Sequence, residues 1–367
     1  EIGRAAREGA DVTLAGDANL GASWELDAFG RIAAQIEAAE FDVEAARQAR
    51  RDVAVIIASQ TALNYVELRG AQRRLEVARS NADTQAEGLE LLQTLLENGR
   101  ATQLDLDRAE AQYRTTLAQL PVFEAIIQSS RSALAALIGQ PAPAPDPALL
   151  ALAVEAGDIP EHEGAILTGR VEDFIRRRPD IRQAEALIAS QLALGEAARA
   201  DLFPTISFNA NLFALFDDTT NFDDFSSFGF GIGPSISWAG PDLRRVRASI
   251  DIADAQSVAA MARYEETVIN ALSEVEAALS DYASELRRRD DLQKAVVSAR
   301  RALELARLRF EEGLDDYLDV LDAQRTLLDA EDRLAESRLQ ASRRAIAAYR
   351  ALGGVEFDSV SAGLAAE

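Results

Sequence analysis

The chain has 367 residues, 48% of them hydrophobic, with 61 acidic against 38 basic side chains and a formal net charge of -23. Such a charge repels phosphates, which argues against a nucleic-acid partner. Cysteine is absent, which excludes disulfides, thiolate metal sites and cysteine nucleophiles, and no run of 18 or more apolar residues offers a transmembrane helix.

The opening Glu1-Ile2-Gly3-Arg4 reads as the end of a helix, so we expect residues before it and see no signal peptide. Alternation over 11–24 (Val12, Leu14, then Leu20, Ala22, Trp24) predicts a short β-hairpin turning near Gly16-Asp17. Residues 28–96 contain no proline and are rich in Ala, Glu, Arg and Leu, which predicts one helix of roughly 100 Å with a thin alanine seam. Gly99 ends it in a turn over 97–101. A second helix is expected over 103–138, kinked at Pro121. The proline-rich run from Pro141 to Pro147 opens a connector, 140–169, in which His162 reads as an ordinary surface histidine.

A third helix is expected over 171–203, with Pro179 in its first turns and Asp180 able to recap it. The stretch 204–238 then reads as two strands. Ile206, Phe208, Ala210 and Leu212 alternate with Ser207, Asn209 and Asn211; Phe228, Phe230, Ile232, Ile236 and Trp238 share one parity, with Gly and Ser on the other. An acidic loop, 217–224, joins them. Each run is about 10 residues, long enough for a tilted membrane strand. Taken alone, this hairpin fits a soluble sheet better than a membrane barrel, because barrel signals are weak per segment. Asp242 is placed to cap another proline-free helix over 242–310; a turn at 311–315 around Gly313, a helix over 317–352 and a tail over 355–367 follow.

Self-comparison reveals a repeat. Trp238 lies 214 residues after Trp24, and the same offset joins Arg31 to Arg245, Gly99 to Gly313, Asp105 to Asp319 and Gly139 to Gly353. Residues 1–139 and 170–354 therefore form two structural repeats, each a hairpin, a very long helix, a Gly turn and a shorter helix. Laid out by length, the strands gather at one end and both Gly turns at the other, about 100 Å away. Four strands cannot close a barrel, and an open sheet edge is not tolerated in lipid, so membrane hairpins would require subunits to share one barrel.

Several motifs carry a resemblance to a known family. They are Ser23-Trp24-Glu25-Leu26-Asp27-Ala28-Phe29-Gly30-Arg31, Arg177-Arg178-Pro179-Asp180-Ile181-Arg182-Gln183-Ala184-Glu185, Leu202-Phe203-Pro204-Thr205-Ile206, and Gly313 through Tyr317-Leu318-Asp319-Val320-Leu321-Asp322-Ala323-Gln324-Arg325. On these residues the chain resembles the TolC-like outer-membrane efflux proteins, and among them the NodT-type outer-membrane factors of resistance-nodulation-division (RND) pumps. The resemblance implies a mainly α fold with a membrane β part. It implies a homotrimer whose 12-stranded outer-membrane β-barrel, four strands from each chain, continues as a long periplasmic α-helical barrel. A small equatorial region would come from 140–169 and the C-terminal residues. It further implies a passive exit duct for drugs or other small toxic compounds, working with a periplasmic adaptor protein and an inner-membrane RND transporter in a Gram-negative cell. NodT-type members usually carry a signal peptide and a lipidated cysteine, neither of which is in this sequence. A type I protein-secretion duct is the alternative, and a soluble coiled-coil scaffold a remote one.

Asp319 and Asp322 are three apart, so they share a helix face. The resemblance puts them at the periplasmic gate, where a trimer turns each into a ring of carboxylates that attracts and selects cations. Asp105 is their partner by the repeat, and Asp315 and Asp316 on the turn would add to the field. For all of these, helix-start aspartates favoured by the helix dipole are the plainer alternative. The tips Gly99, Arg100, Ala101, Gly313 and Leu314 are the expected adaptor contacts, and Phe208, Phe228, Phe230, Ile232 and Trp238 the expected lipid-facing residues. No nucleophile–base pair, phosphate loop or metal cluster is present, so we expect no enzyme, no cofactor and no resident metal beyond a cation at Asp319 and Asp322.

Overall fold

A computed structural model describes residues 16–141, 157–162, 166, 170–216 and 228–354. The chain divides into two compact units, 1–47 with 183–265 and 48–182 with 266–367. The loop 217–224, the tail 355–367 and most of the 140–169 connector lie outside the described residues.

The first unit holds an antiparallel sheet in the order β1 (Gly16–Leu26), β2 (Thr205–Phe216), β3 (Phe228–Ser237). The turn expected at Gly16-Asp17 is not there. Both residues belong to β1, opposite Phe216 and Leu215, so pairing with β2 carries the strand through a dipeptide that local chemistry marks as a turn. Strand β1 ends in a cap for the helix α1 (Arg31–Glu97). The Asp27 carboxylate accepts from the N–H groups of Ile32 and Ala33 at 3.0 and 2.8 Å, and Glu25 takes the Arg31 guanidinium at 2.6 and 3.1 Å. After β3 the chain does this differently. Gly240–Asp242 form a 3-10 turn, and the Trp238 ring lies where any Cβ on Gly240 would stand, 2.4 Å from it. Asp242, expected as a cap, sits in this turn and accepts from Arg245 at 2.9 Å.

Helices α1, α2 (Gln103–Leu137), α5 (Leu243–Glu311) and α6 (Tyr317–Ala351) supply the second unit's packing. On α1 the buried Ala71, Leu75, Ala78, Ala82, Gln85 and Leu92 fall in alternating steps of four and three, with half-buried Leu89 completing the series. That is the 3.5-residue period of a left-handed supercoil. Small residues let neighbours approach: a Cβ on Gly70 would stand 2.8 Å from Leu339. Charge fixes the pairing, since Arg74 holds Asp332 through two bonds (2.7 and 2.9 Å) and Glu336 through a third (2.6 Å). Helix α2 runs on through Pro121.

The third helix is two helices, α3 (Val171–Arg177) and α4 (Pro179–Ala200). The residue before a proline is pushed out of helical geometry, and Arg178 is extended at φ -66°, ψ 123°. Asp180 therefore lies inside the first turn of α4 rather than capping it, and its carboxylate binds Arg178. His162 is half-buried, not on the open surface, with its ring 5.5 Å from that of Tyr349.

Asp52 sits near this junction. Burial raises its pKa, helped by Asp180 and Glu274 and opposed by Arg178 and Arg350. A carboxyl raised in the folded state costs stability above its folded pKa and nothing below its unfolded one. Asp52→Asn should therefore raise the thermal midpoint at pH 7, and the gain should vanish below about pH 4. Melting curves at the two pH values check this.

Candidate functional site

Two places hold the residues that the sequence singles out. The first is the sheet. Its register aligns the apolar parities of all three strands: Leu20, Leu212 and Phe230 form one row, Ala22, Ala210 and Ile232 the next, then Trp24, Phe208 and Pro234, then Leu26, Ile206 and Ile236. This face is bare. Phe230 and Ile232 are 83% and 80% exposed, and Trp24, Phe208, Phe228, Ile236 and Trp238 are exposed too. The other face is small and polar. Ser23 donates to Asn209 at 2.8 Å and Asn209 to Ser235 at 2.8 Å, a ladder across the three strands, flanked by Gly21, Gly231 and Gly233. A sheet with an uncovered apolar face and a wet opposite face has the polarity of a membrane barrel wall.

The second place is the pair of Gly turns, both in the second unit. Gly99 and Gly313 adopt φ of +68° and +71°, where L side chains are strained. At each, the helix end closes by the same pair of bonds: Gly99 N–H to Leu96 O and Arg100 N–H to Leu95 O, then Gly313 N–H to Phe310 O and Leu314 N–H to Arg309 O. Leu92, Ala109, Leu303, Tyr317 and Val320 form one buried core beneath both turns.

The tip aspartates diverge in their surroundings. Asp105 completes a capping box with Thr102, whose side chain accepts from the Asp105 N–H while the carboxylate accepts from the Thr102 N–H at 3.1 Å. Asp315 is gripped by the Nε–Nη2 edge of the Arg309 guanidinium, which holds its carboxyl below the usual value. A carboxyl lowered in this way contributes above its unfolded pKa and loses that contribution as pH falls through the folded one, so this clamp is complete at neutral pH. Asp316 occupies the N-cap of α6. Asp319, in the first turn of α6, and Asp322, one turn later, are both exposed; Asp322 pairs loosely with Arg325 at 3.1 Å. Leu314 is exposed, whereas Ala101 packs against the tip core.

The Thr102-Asp105 box was readable as a Thr-x-x-Asp start. The Arg309–Asp315 clamp was not, because a six-residue separation across a turn leaves no periodic trace. Nor was the seat of Tyr317. Its ring is 7% exposed and meets Phe310 edge to face at 5.1 Å, and its hydroxyl would lie 2.3 Å from a Cβ on Gly88. Gly88→Ala should lower the thermal midpoint, because overpacking costs about 1–3 kcal/mol. Adding Tyr317→Phe removes the clashing oxygen and leaves the ring carbon at 3.6 Å, an ordinary contact. The double variant should therefore melt above Gly88→Ala, since both carry the same alanine and only the clash differs. Double-mutant melting curves check the coupling.

An exposed apolar strand face opposite a small, polar one is the polarity that the wall of an outer-membrane channel requires. The chain belongs to the Outer membrane efflux protein family, which it matches over residues 6–140 and 171–354. It is 30% identical over 336 residues, covering 90% of this chain and 69% of the relative, to the solvent efflux pump outer membrane protein SrpC of Pseudomonas putida. It is 28% identical over 346 residues, 94% of this chain and 70% of the relative, to nodulation protein T of Rhizobium leguminosarum bv. viciae. Among solved structures, the outer-membrane channel OprN superposes with a TM-score of 0.82 at 32% identity, covering 94% of this chain and 82% of that one. The protein is an outer-membrane efflux channel of a Gram-negative bacterium, from a family made of channels rather than enzymes. Among the described residues, no helix is long and apolar enough to cross a membrane, which fits a chain whose membrane part is its sheet.

Proposed function

We propose that three copies of this chain close one β-barrel and one helical tunnel, forming the exit duct of a tripartite pump for small toxic organic compounds. The observation that carries this reading is the sheet's uncovered apolar face, with Phe208, Phe228, Phe230, Ile232 and Trp238 on the lipid side. Three described strands cannot satisfy their own edges, and lipid offers no hydrogen bonds, so neighbouring copies must pair with them. In this reading the partners are a periplasmic adaptor, an inner-membrane RND transporter and outer-membrane lipid. The tips Gly99, Arg100, Ala101, Gly313 and Leu314 meet the adaptor, and Asp319 and Asp322 ring the periplasmic entrance. The 140–169 connector and the C-terminal residues belong to the equatorial region. That a relative bears the name of a solvent efflux pump protein supports apolar organic cargo.

The test is efflux complementation in a strain lacking its own channel but supplied with a matching pump and adaptor. The parent chain should restore drug resistance. Leu314→Trp should abolish it while trimers still form, because Leu314 is exposed and touches no core that assembly needs. Ala101→Trp should abolish efflux too, but it also presses on the tip core, so Leu314 gives the cleaner reading. Full resistance in both variants overturns docking at the tips; absence of trimers from the parent overturns the shared barrel.

A further inference from the structure

An aromatic ring interrupts the small-residue face of the sheet. Leu215, opposite Asp17 at the strand end, shares the parity of a face that carries Asn19, Gly21, Ser23, Asn209, Asn211, Gly231, Gly233 and Ser235 and is small or polar up to Phe213. Among the described side chains Phe213 is the single large apolar group there. It stands between Asn19 of β1 and Gly229 of β3, toward the end of the hairpin away from α4 and α5. Its ring lies across Gly229: a Cβ there would stand 2.3 Å from Cζ and 2.7 Å from Cε2. The glycine thus gives the ring a flat seat against the sheet. The ring is nevertheless 37% exposed, and at diagonal Gly21 nothing stands within 4 Å of where a Cβ would be. The result is an aromatic surface set in a shallow bare patch, surrounded by amides and hydroxyls.

A cross-strand aromatic covering a glycine also stabilises a hairpin by itself. That accounts for the contact with Gly229 but not for the open side of the ring on a face kept small or polar up to it. We propose that Phe213 is a stacking site for planar aromatic cargo on the wall of the duct. This rests on the reading that the hairpins of several copies close a barrel with the small-residue face inward. Stacking on a wall-seated ring suits transport: the aromatic contact is worth a modest factor in residence, and the surrounding hydrated groups leave no deep pocket to trap the cargo.

The experiment uses the full chain in planar lipid bilayers. The probes are pyrenesulfonate, a planar aromatic anion, and octanesulfonate, an aliphatic anion of the same charge. Pyrenesulfonate added on the loop side should cause resolvable current blockades. Phe213→Leu should shorten them roughly two- to tenfold, Phe213→Trp should keep or lengthen them, and octanesulfonate events should not change. Open-channel conductance equal to the parent's shows that the variants are folded; if Phe213→Leu forms no channels, Phe213→Met is read instead. Blockades of unchanged length in the channel-forming variant overturn the stacking site. Because the chain has no cysteine, Phe213→Cys and Phe230→Cys each carry a unique thiol for a membrane-impermeant maleimide. Labelling at 213 and not at 230 supports the inward face. The opposite pattern overturns the barrel orientation, and the proposal with it, whatever the blockades do.

Discussion

Arg178→Ala should destabilise the second unit by about 2–3 kcal/mol, less than the roughly 3–5 kcal/mol of a fully buried pair because Asp180 and Glu274 stay partly exposed. Arg178 is only 8% exposed. Its guanidinium uses its fork of donors fully. Nε and Nη2 reach Asp180 at 3.0 and 2.7 Å, Nη1 and Nη2 both reach Glu274 at 3.0 Å, and Nη1 also donates to the Ala351 carbonyl at the C-terminal end of α6. Burial works against the charge, and the carboxylates of Asp180 and Glu274 outweigh it, so its pKa is raised. One side chain therefore joins the α3–α4 break, the middle of α5 and the end of α6. Gly353, at φ +94°, packs on its backbone and Cγ, with room for a Cβ only at 3.3–3.4 Å.

Removing the guanidinium leaves Asp180 and Glu274 facing Asp52 with Arg350 as the remaining cation, 3.0 Å from Glu274. It also leaves the Ala351 carbonyl short of a donor. Arg178→Lys keeps the charge but not the planar fork, and should fall between parent and alanine variant. Denaturant titration of the purified protein in detergent measures both. An alanine variant as stable as the parent would mean the cluster's desolvation already cancels its attraction.

The second large effect concerns the entrance. Asp319→Ala combined with Asp322→Ala should weaken block by hexamminecobalt(III) at least tenfold, and lower cation selectivity, in single-channel recordings. In a trimer the two positions supply six carboxylates. At about 4 Å even water leaves roughly 1 kcal/mol per pair of unit charges, so a trivalent ion facing several carboxylates gains well over one factor of ten. The surroundings of the tip aspartates differ. Asp315 is already bound by Arg309, and Asp105 by the N-terminus of α2. Asp319 and Asp322 remain exposed, and the Asp322–Arg325 pair is an open surface pair of little strength. Asp315→Ala alone should accordingly leave cation block nearly unchanged. Unchanged block in the double variant would remove these two residues from the gate.

Much of this was legible along the chain, because helices and strands are written in periods. The proline-free run before Gly99 gave α1, and the parities of β2 and β3 gave the two faces of the sheet. The repeat of Gly99 at Gly313 recurs as the same pair of turn bonds at both tips. Errors arose where neighbours overrule local chemistry. Gly16-Asp17 looked like a turn, but eleven consecutive pairings with β2 hold it straight. Asp180 looked like a cap, but Pro179 set the helix start one residue earlier and Arg178 claimed the carboxylate.

By itself the sequence determined where the long helices run and the polarity of each strand face, since those depend on side-chain period and on where glycine and proline permit a turn. Only the tertiary structure decided which charged groups are spent and which are free. Arg309 meets Asp315 across a turn, Arg178 meets Glu274 from another helix, and Phe213 finds its seat on Gly229 from a neighbouring strand. Such pairings depend on distances between chain-remote atoms, and a short-range pattern carries no record of them.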